Sequence, residues 1–169
     1  MPQPAGLNFS PASKTWTAQT GERKGDMGQV SEILDAKGHK VLRIDADASV
    51  LEAVKQMVEA NVGSLLVIDS GEIAGIVTER DFLRRVAEVG GSHNDASVRE
   101  IMSSPLIVVT PETSVDECMA LMTNRRIRHV PVVDAGEVTG IVSIGDVVKF
   151  KSREQSFEIQ FLHDYIAAG

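Results

Sequence analysis

Between Val41 and Lys151 the apolar and polar positions follow two alternating rhythms, and each rhythm occurs twice. "VLRI" (41–44) and "LIVV" (106–109) are short apolar stretches that predict strands. After each comes a serine, Ser49 or Ser114, and then apolar residues three and four apart. These are Val50, Ala53, Val54, Met57 and Val58 in the first case, and Val115, Cys118, Met119 and Met122 in the second. The spacing predicts a one-sided helix whose capping serine accepts from a free amide of the first turn. Strand-like runs return in "LLVID" (65–69) and "IAGIV" (73–77), split by Ser-Gly-Glu, which predict a β-hairpin. "VPVVD" (130–134) and "VTGIV" (138–142), split by Ala-Gly-Glu, predict another. A second helix is predicted to open at Thr78 and again at Ser143. At the end of the chain, Phe157, Phe161, Leu162 and Tyr165 fall at helical spacing, predicting a C-terminal helix that docks on the body or on a second subunit.

The two halves are copies. A shift of 65 residues aligns 41–86 with 106–151 without a gap, with about a dozen identities. Upstream, "VSEIL" (30–34) echoes "VREIM" (98–102) at a shift of 68, so the copies differ there by three residues (68 − 65). Such a match marks an internal duplication. Each unit reads β-α-β-β-α, and about fifty residues make a marginal core alone, so the units are expected to pack their sheets together. The fold class is α/β (α+β), two tandem repeats in one pseudo-symmetric module plus a C-terminal helix. The expected boundaries are a flexible tail over 1–28, repeat 1 over 29–88, repeat 2 over 94–153, and the helix over 154–169.

Composition narrows the function. Residues are 43% hydrophobic but only 4% aromatic, so the core is aliphatic. The net charge of −7 argues against nucleic acid as a partner. No apolar run reaches the roughly 18–20 residues that span a bilayer, and no membrane partner is expected. The first 28 residues lack the apolar segment of a secretory signal. The one cysteine, Cys118, lies on the apolar face of its helix, where burial competes with the reading of a reactive thiol. The four histidines have no metal-ligand spacing, and no nucleophile-and-base pair is legible, so neither a metal site nor catalysis is expected.

The repeated chemistry sits in "GIVTERD" (75–81) and "GIVSIGD" (140–146). Thr78 with Asp81, and Ser143 with Asp146, have the spacing of a capping box. The same helix start offers amides to an anion, while a carboxylate facing a cleft can accept from two vicinal hydroxyls. A ribose phosphate needs both features.

With "RIRHVPVVD" (126–134), these motifs resemble a tandem pair of CBS domains, a Bateman module, over residues 29–153. The chain is similar to small stand-alone CBS-pair proteins of bacteria and plant organelles. The resemblance implies a regulatory sensor that binds AMP, ATP, ADP or NAD, or S-adenosylmethionine, between the repeats. It signals by a change in repeat or dimer arrangement to an unidentified protein target. Carried onto this chain, Asp81 and Asp146 hold ribose hydroxyls, and Thr78 and Ser143 assist. Backbone near Val41, Gly63, Ser64 and Ile107 and around Arg128 and His129 surrounds adenine. Asp81 is expected to face Arg128 and His129, and Asp146 to face Gly63 and Ser64. Arg128 and His129, with Arg80, Arg84 and Arg85 adding charge near Asp81, make the Asp81 cleft the better furnished for phosphate, while Gly145 stands where copy one has Arg80. The resemblance further implies a homodimer, through Phe82, Leu83, Val147 and Val148. It places the protein in a bacterial cytoplasm, or in a mitochondrion or plastid if it is a processed organellar protein. The competing reading is a protein-interaction module with degenerate ligand sites, because similar plant proteins are associated with thioredoxin regulation.

Overall fold

The computed structural model describes residues 16–18, 28–89 and 96–167. Repeat 1 comprises α1 (Val30–Lys37), β2 (Arg43–Asp45), α2 (Val50–Ala60), β3 (Ser64–Asp69), β4 (Glu72–Thr78) and α3 (Glu79–Val89). Repeat 2 comprises α4 (Val98–Ile101), β5 (Leu106–Val108), α5 (Val115–Arg125), β6 (His129–Asp134), β7 (Glu137–Ser143) and α6 (Ile144–Ala167). One strand, β1 (Trp16–Ala18), lies within the segment expected to be a tail and pairs parallel with β5; the rest of 1–27 is outside the described residues.

Local chemistry accounts for the repeat. Ser49 and Ser114 cap α2 and α5, each accepting from the amide three residues on, while Glu52 and Glu117 reach back to close the box. The hairpins β3–β4 and β6–β7 are antiparallel in equivalent registers, with the same irregularity after Val67 and Val132. Positive φ at Ser70 and Gly71, and at Ala135 and Gly136, gives both hairpins the turn that matches strand twist. In repeat 1, β2 runs parallel to β3. In repeat 2 the β5 strand continues as a parallel bridge from Val109 to Val132. Leu66, Ile76, Leu106 and Val108 form a buried cluster joined by Val133 and Ile141, so the two sheets share one core.

The packed lobes do not coincide with the sequence repeats. Val30, Ile33 and Leu34 of α1 are buried in the core of repeat 2, with Val109, Val115, Met122 and Val142. Val98 of α4 is buried in the core of repeat 1, with Ile44, Met57, Leu65 and Val77. The exchange is symmetric bond for bond. The Val30 amide donates to the Thr113 carbonyl, Ser31 to Pro111 and Val115 to Gly28; equivalently, Val98 donates to Ala48, Arg99 to Ala46 and Val50 to Ala96.

This exchange explains the glycine of each repeated motif. A Cβ on Gly75 would lie 2.7 Å from the Ser103 carbonyl oxygen, and one on Gly140 would lie 2.6 Å from Leu34 Cδ2. Each glycine is the place where the other repeat's opening segment passes against the hairpin.

The expected C-terminal helix is present as the end of α6. It is no separate element; α6 runs unbroken for 24 residues, about 36 Å at 1.5 Å per residue. Nor does its outer part dock on the body as far as its side chains are described: Phe157 is 76% exposed and Ile159 58%. The side chains of Phe161, Leu162 and Tyr165 lie outside the described residues. Among the described residues no helix is long and apolar enough to cross a membrane.

Candidate functional site

Two clefts open between the repeats. The first, about 370 Å³, has Thr78, Arg80, Asp81 and Arg84 on one wall and Arg126, Arg128 and His129 on the other. The second, about 290 Å³, brings Gly63 and Ser64 of repeat 1 to Ser143 and Asp146 of repeat 2, with Lys37 and Lys40 at its side. Both are near the lower end of small-molecule sites, roughly 300–1,000 Å³. The structure therefore juxtaposes Asp81 with Arg128 and His129, and Asp146 with Gly63 and Ser64. Val41 and Ile107 line neither cleft. The side chain of Val41 packs on the cluster shared by the two sheets and that of Ile107 on the core of repeat 2, while Lys40 and Leu42, on either side of Val41, line the second cleft.

In the first cleft, Asp81 is only 7% exposed. Its Oδ2 accepts from the Thr78 amide at 2.9 Å and from Thr78 Oγ1 at 2.7 Å. The Glu79 amide, the first of α3, donates to the Gly63 carbonyl at 3.2 Å, and the Asp81 amide reaches Thr78 Oγ1 at 3.4 Å. The helix start thus uses much of its anion-binding capacity internally, and side chains must supply the rest. Arg80 Nη1 donates to the Arg126 carbonyl at 3.1 Å, tying the walls together. Among the described residues, no carboxylate forms an ion pair with Arg84, Arg126 or Arg128. Arg126 also holds a left-handed backbone, φ 55°, at the position where repeat 1 has Asn61, φ 52°.

The second cleft begins the same way and ends differently. Asp146 Oδ2 accepts from the Ser143 amide and from Ser143 Oγ, both at 2.8 Å, and also from Lys37 Nζ. Lys37 Nζ donates in addition to the Ile141 carbonyl at 2.9 Å. Burial pushes the Asp146 pKa up, but the Lys37 ammonium and the Ser143 donors outweigh it and hold the carboxyl below its ordinary value. Four arginines line the Asp81 cleft against two lysines in this one, and Lys37 is already paired with Asp146. Lys37 and Lys40 come from α1 and the segment after it, which cross between the lobes. Nothing in a linear comparison of the motifs brings them near Asp146.

His129 and Gly63 border both clefts. A Cβ on Gly63 would lie 3.1 Å from His129 Cε1 and Nε2, so the imidazole rests on bare backbone and forms the partition. His129 Nδ1 is buried without a partner. Burial lowers the His129 pKa, the Lys37 charge adds to that, and Glu79 and Asp146 oppose it. The imidazole is thus neutral near pH 7. Cys118 is fully buried, and burial pushes its thiol up to about 11, which favours the core reading over the reactive one.

Two β-α-β-β-α repeats that exchange their opening helices and enclose paired clefts define a tandem-repeat module. The CBS domain model matches residues 30–88 and 98–153, and the chain belongs to the CBS-domain family. A CBS pair is a regulatory module, and the family match indicates no catalytic family. The chain is 40% identical to the mitochondrial CBS domain-containing protein CBSX3 of Arabidopsis thaliana, over 95% of this chain and 82% of that protein. It is similar to the solved CBS-domain protein ATU1752 of Agrobacterium tumefaciens at 35% identity and TM-score 0.70, covering 77% of this chain and 98% of the other. It is also similar to the CBS pair of MJ0100, solved with 5′-methylthioadenosine and S-adenosyl-L-methionine, at 27% identity and TM-score 0.66, covering 76% and 99%.

Proposed function

We propose that this CBS pair is an adenine-nucleotide sensor, with AMP, ADP, ATP or NAD bound in one or both clefts between the repeats. The observation that carries this reading is the arrangement around Asp81. A capped carboxylate at a helix start shares its cleft with four arginines that have no carboxylate partner among the described residues, two of them, Arg126 and Arg128, from the opposite repeat. Asp81 and Asp146 accept ribose hydroxyls, assisted by Thr78 and Ser143, and Arg80, Arg84 and Arg128 pair with phosphate in the first cleft. Gly63, Ser64 and His129 form the walls against which the base lies. The adenosyl ligands of the MJ0100 pair support this class of ligand. A nucleotide touching both repeats favours one relative arrangement, and that difference in affinity is the signal passed to a protein target. Leu83 and Val148, equivalent positions 64% and 55% exposed, suit a homodimer contact; Val147 is core and is not part of it.

The test is thermal unfolding of the full chain with AMP, ADP, ATP and NAD. A ligand at 100 times its Kd that binds only the folded state adds about 2.7 kcal/mol of stability. Asp81→Ala removes the shift due to the first cleft and costs the fold about 1 kcal/mol through the lost cap. The competing interaction-module reading draws on the Lys37–Asp146 pair, which already satisfies one of the two carboxylates. Absence of any shift at millimolar nucleotide would establish that reading instead.

A further inference from the structure

The two clefts treat their carboxylates differently, and the cause is a difference in helix length. α1 has eight residues and α4 has four. The extra turn carries Lys37 onto Asp146. The residue equivalent to Lys37 in the second opening segment, 68 positions on, is Pro105, and Ser103 lines the Asp81 cleft there. The three-residue difference between the repeats is thus the reason that an opening helix places a cation on the carboxylate in one cleft and not in the other.

We propose that Lys37 makes the Asp146 cleft selective for adenine ligands that carry a phosphate, against uncharged and sulfonium adenosyl ligands; this rests on the sensor reading above. Asp146 Oδ2 already takes three donors. All three bonds fall on Oδ2, so ribose hydroxyls that reach Oδ1 do so beside the Lys37 ammonium. Two of the three ammonium hydrogens are engaged, by Asp146 and the Ile141 carbonyl. A phosphate nearby gives the ammonium a new charged acceptor, whether it stays on Asp146 or moves off. A neutral nucleoside offers no such compensation. A sulfonium adds a positive charge to a cleft lined by two ammonium groups, Lys37 and Lys40, against one carboxylate, with His129 neutral. The Asp81 carboxylate has no ammonium competitor, and any preference for phosphate in that cleft rests on its arginines and is independent of Lys37.

The experiment follows each cleft separately by NMR titration of the full chain with AMP, adenosine and S-adenosylmethionine. The Gly38 amide reports the Asp146 cleft and the Ser103 amide the Asp81 cleft, because each residue lines only one of them. At Gly38 the native chain binds AMP at least about tenfold more tightly than adenosine, as loss of one charge-assisted bond implies. Lys37→Met brings that ratio close to one and admits S-adenosylmethionine, while the ratio at Ser103 stays as it was. Lys37→Gln, which keeps hydrogen-bonding capacity without the charge, behaves like Lys37→Met, and Lys37→Arg restores the preference. An unchanged Gly38 ratio in both neutral variants, or no response at Gly38 while Ser103 responds, overturns the role of Lys37 and leaves the sensor reading intact. Silence at both amides with every ligand overturns the sensor reading itself.

Discussion

Leu34 and Gly140 provide a direct test of the exchanged helices. Leu34 belongs by sequence to repeat 1, yet it is 1% exposed within the core of repeat 2. Leu34→Ala removes a fully buried isopropyl group and should cost about 3 kcal/mol. Gly140→Ala should cost about 1–3 kcal/mol, because its methyl would stand 2.6, 2.8 and 3.3 Å from Leu34 Cδ2, Cδ1 and Cγ. Those three atoms are the ones that Leu34→Ala deletes. Gly140 does not have a positive φ, so alanine is conformationally allowed there. In the double variant the new methyl occupies the space vacated, and the total should be close to that of Leu34→Ala alone. A coupling of about 1–3 kcal/mol is therefore expected. Urea unfolding of the four proteins gives the cycle, and hydrogen exchange locates the effect. Leu34→Ala should release the amides of β6 and β7 before those of β3 and β4. Additivity within about 0.5 kcal/mol, or loss of protection first in β3 and β4, refutes the exchange.

Three further outcomes follow from the same geometry. Arg126→Asn copies Asn61 into a left-handed position and should raise stability by up to about 1 kcal/mol in a chemical melt, while weakening phosphate binding in the Asp81 cleft. His129 has a folded pKa below its ordinary 6.5, so between those values the unfolded chain holds a proton that the folded one does not. Its contribution to stability is therefore complete above pH 6.5 and declines as pH falls towards the folded pKa. His129→Gln should flatten that part of the stability–pH curve, and an unaltered slope would reject the burial of a neutral imidazole. Cys118 should resist alkylation in the native state and react at the unfolding rate, measured by mass spectrometry at pH 8.

The way through the fold from this chain alone is good where hydrogen bonds and burial are local. Ser49 and Ser114 announce their helices because a capping hydroxyl and its amide are three residues apart. The hairpins are legible because alternation and a Gly at the turn are neighbours in sequence. Arg128 and His129 are legible as site residues only through the resemblance, since their partner Asp81 lies 47 and 48 positions away. Lys37 and Lys40 were missed altogether. The one available signal was the three-residue difference between the repeats, which gives α1 an additional turn and no direction.

The chain by itself determined the duplication, the β-α-β-β-α order, the caps and turns, and the two carboxylates, because each is written within a span of a few residues or a fixed 65-residue period. Only the tertiary structure decided which lobe receives each opening helix. "VSEIL" and "VREIM" present nearly the same apolar face, and the two receiving grooves are copies of one another, so either assignment satisfies every local pattern. That choice sets Lys37 beside Asp146 and lets α1 and α4 unify the two halves. The same packing makes His129 the wall between the clefts, since this depends on contacts that no local rule encodes.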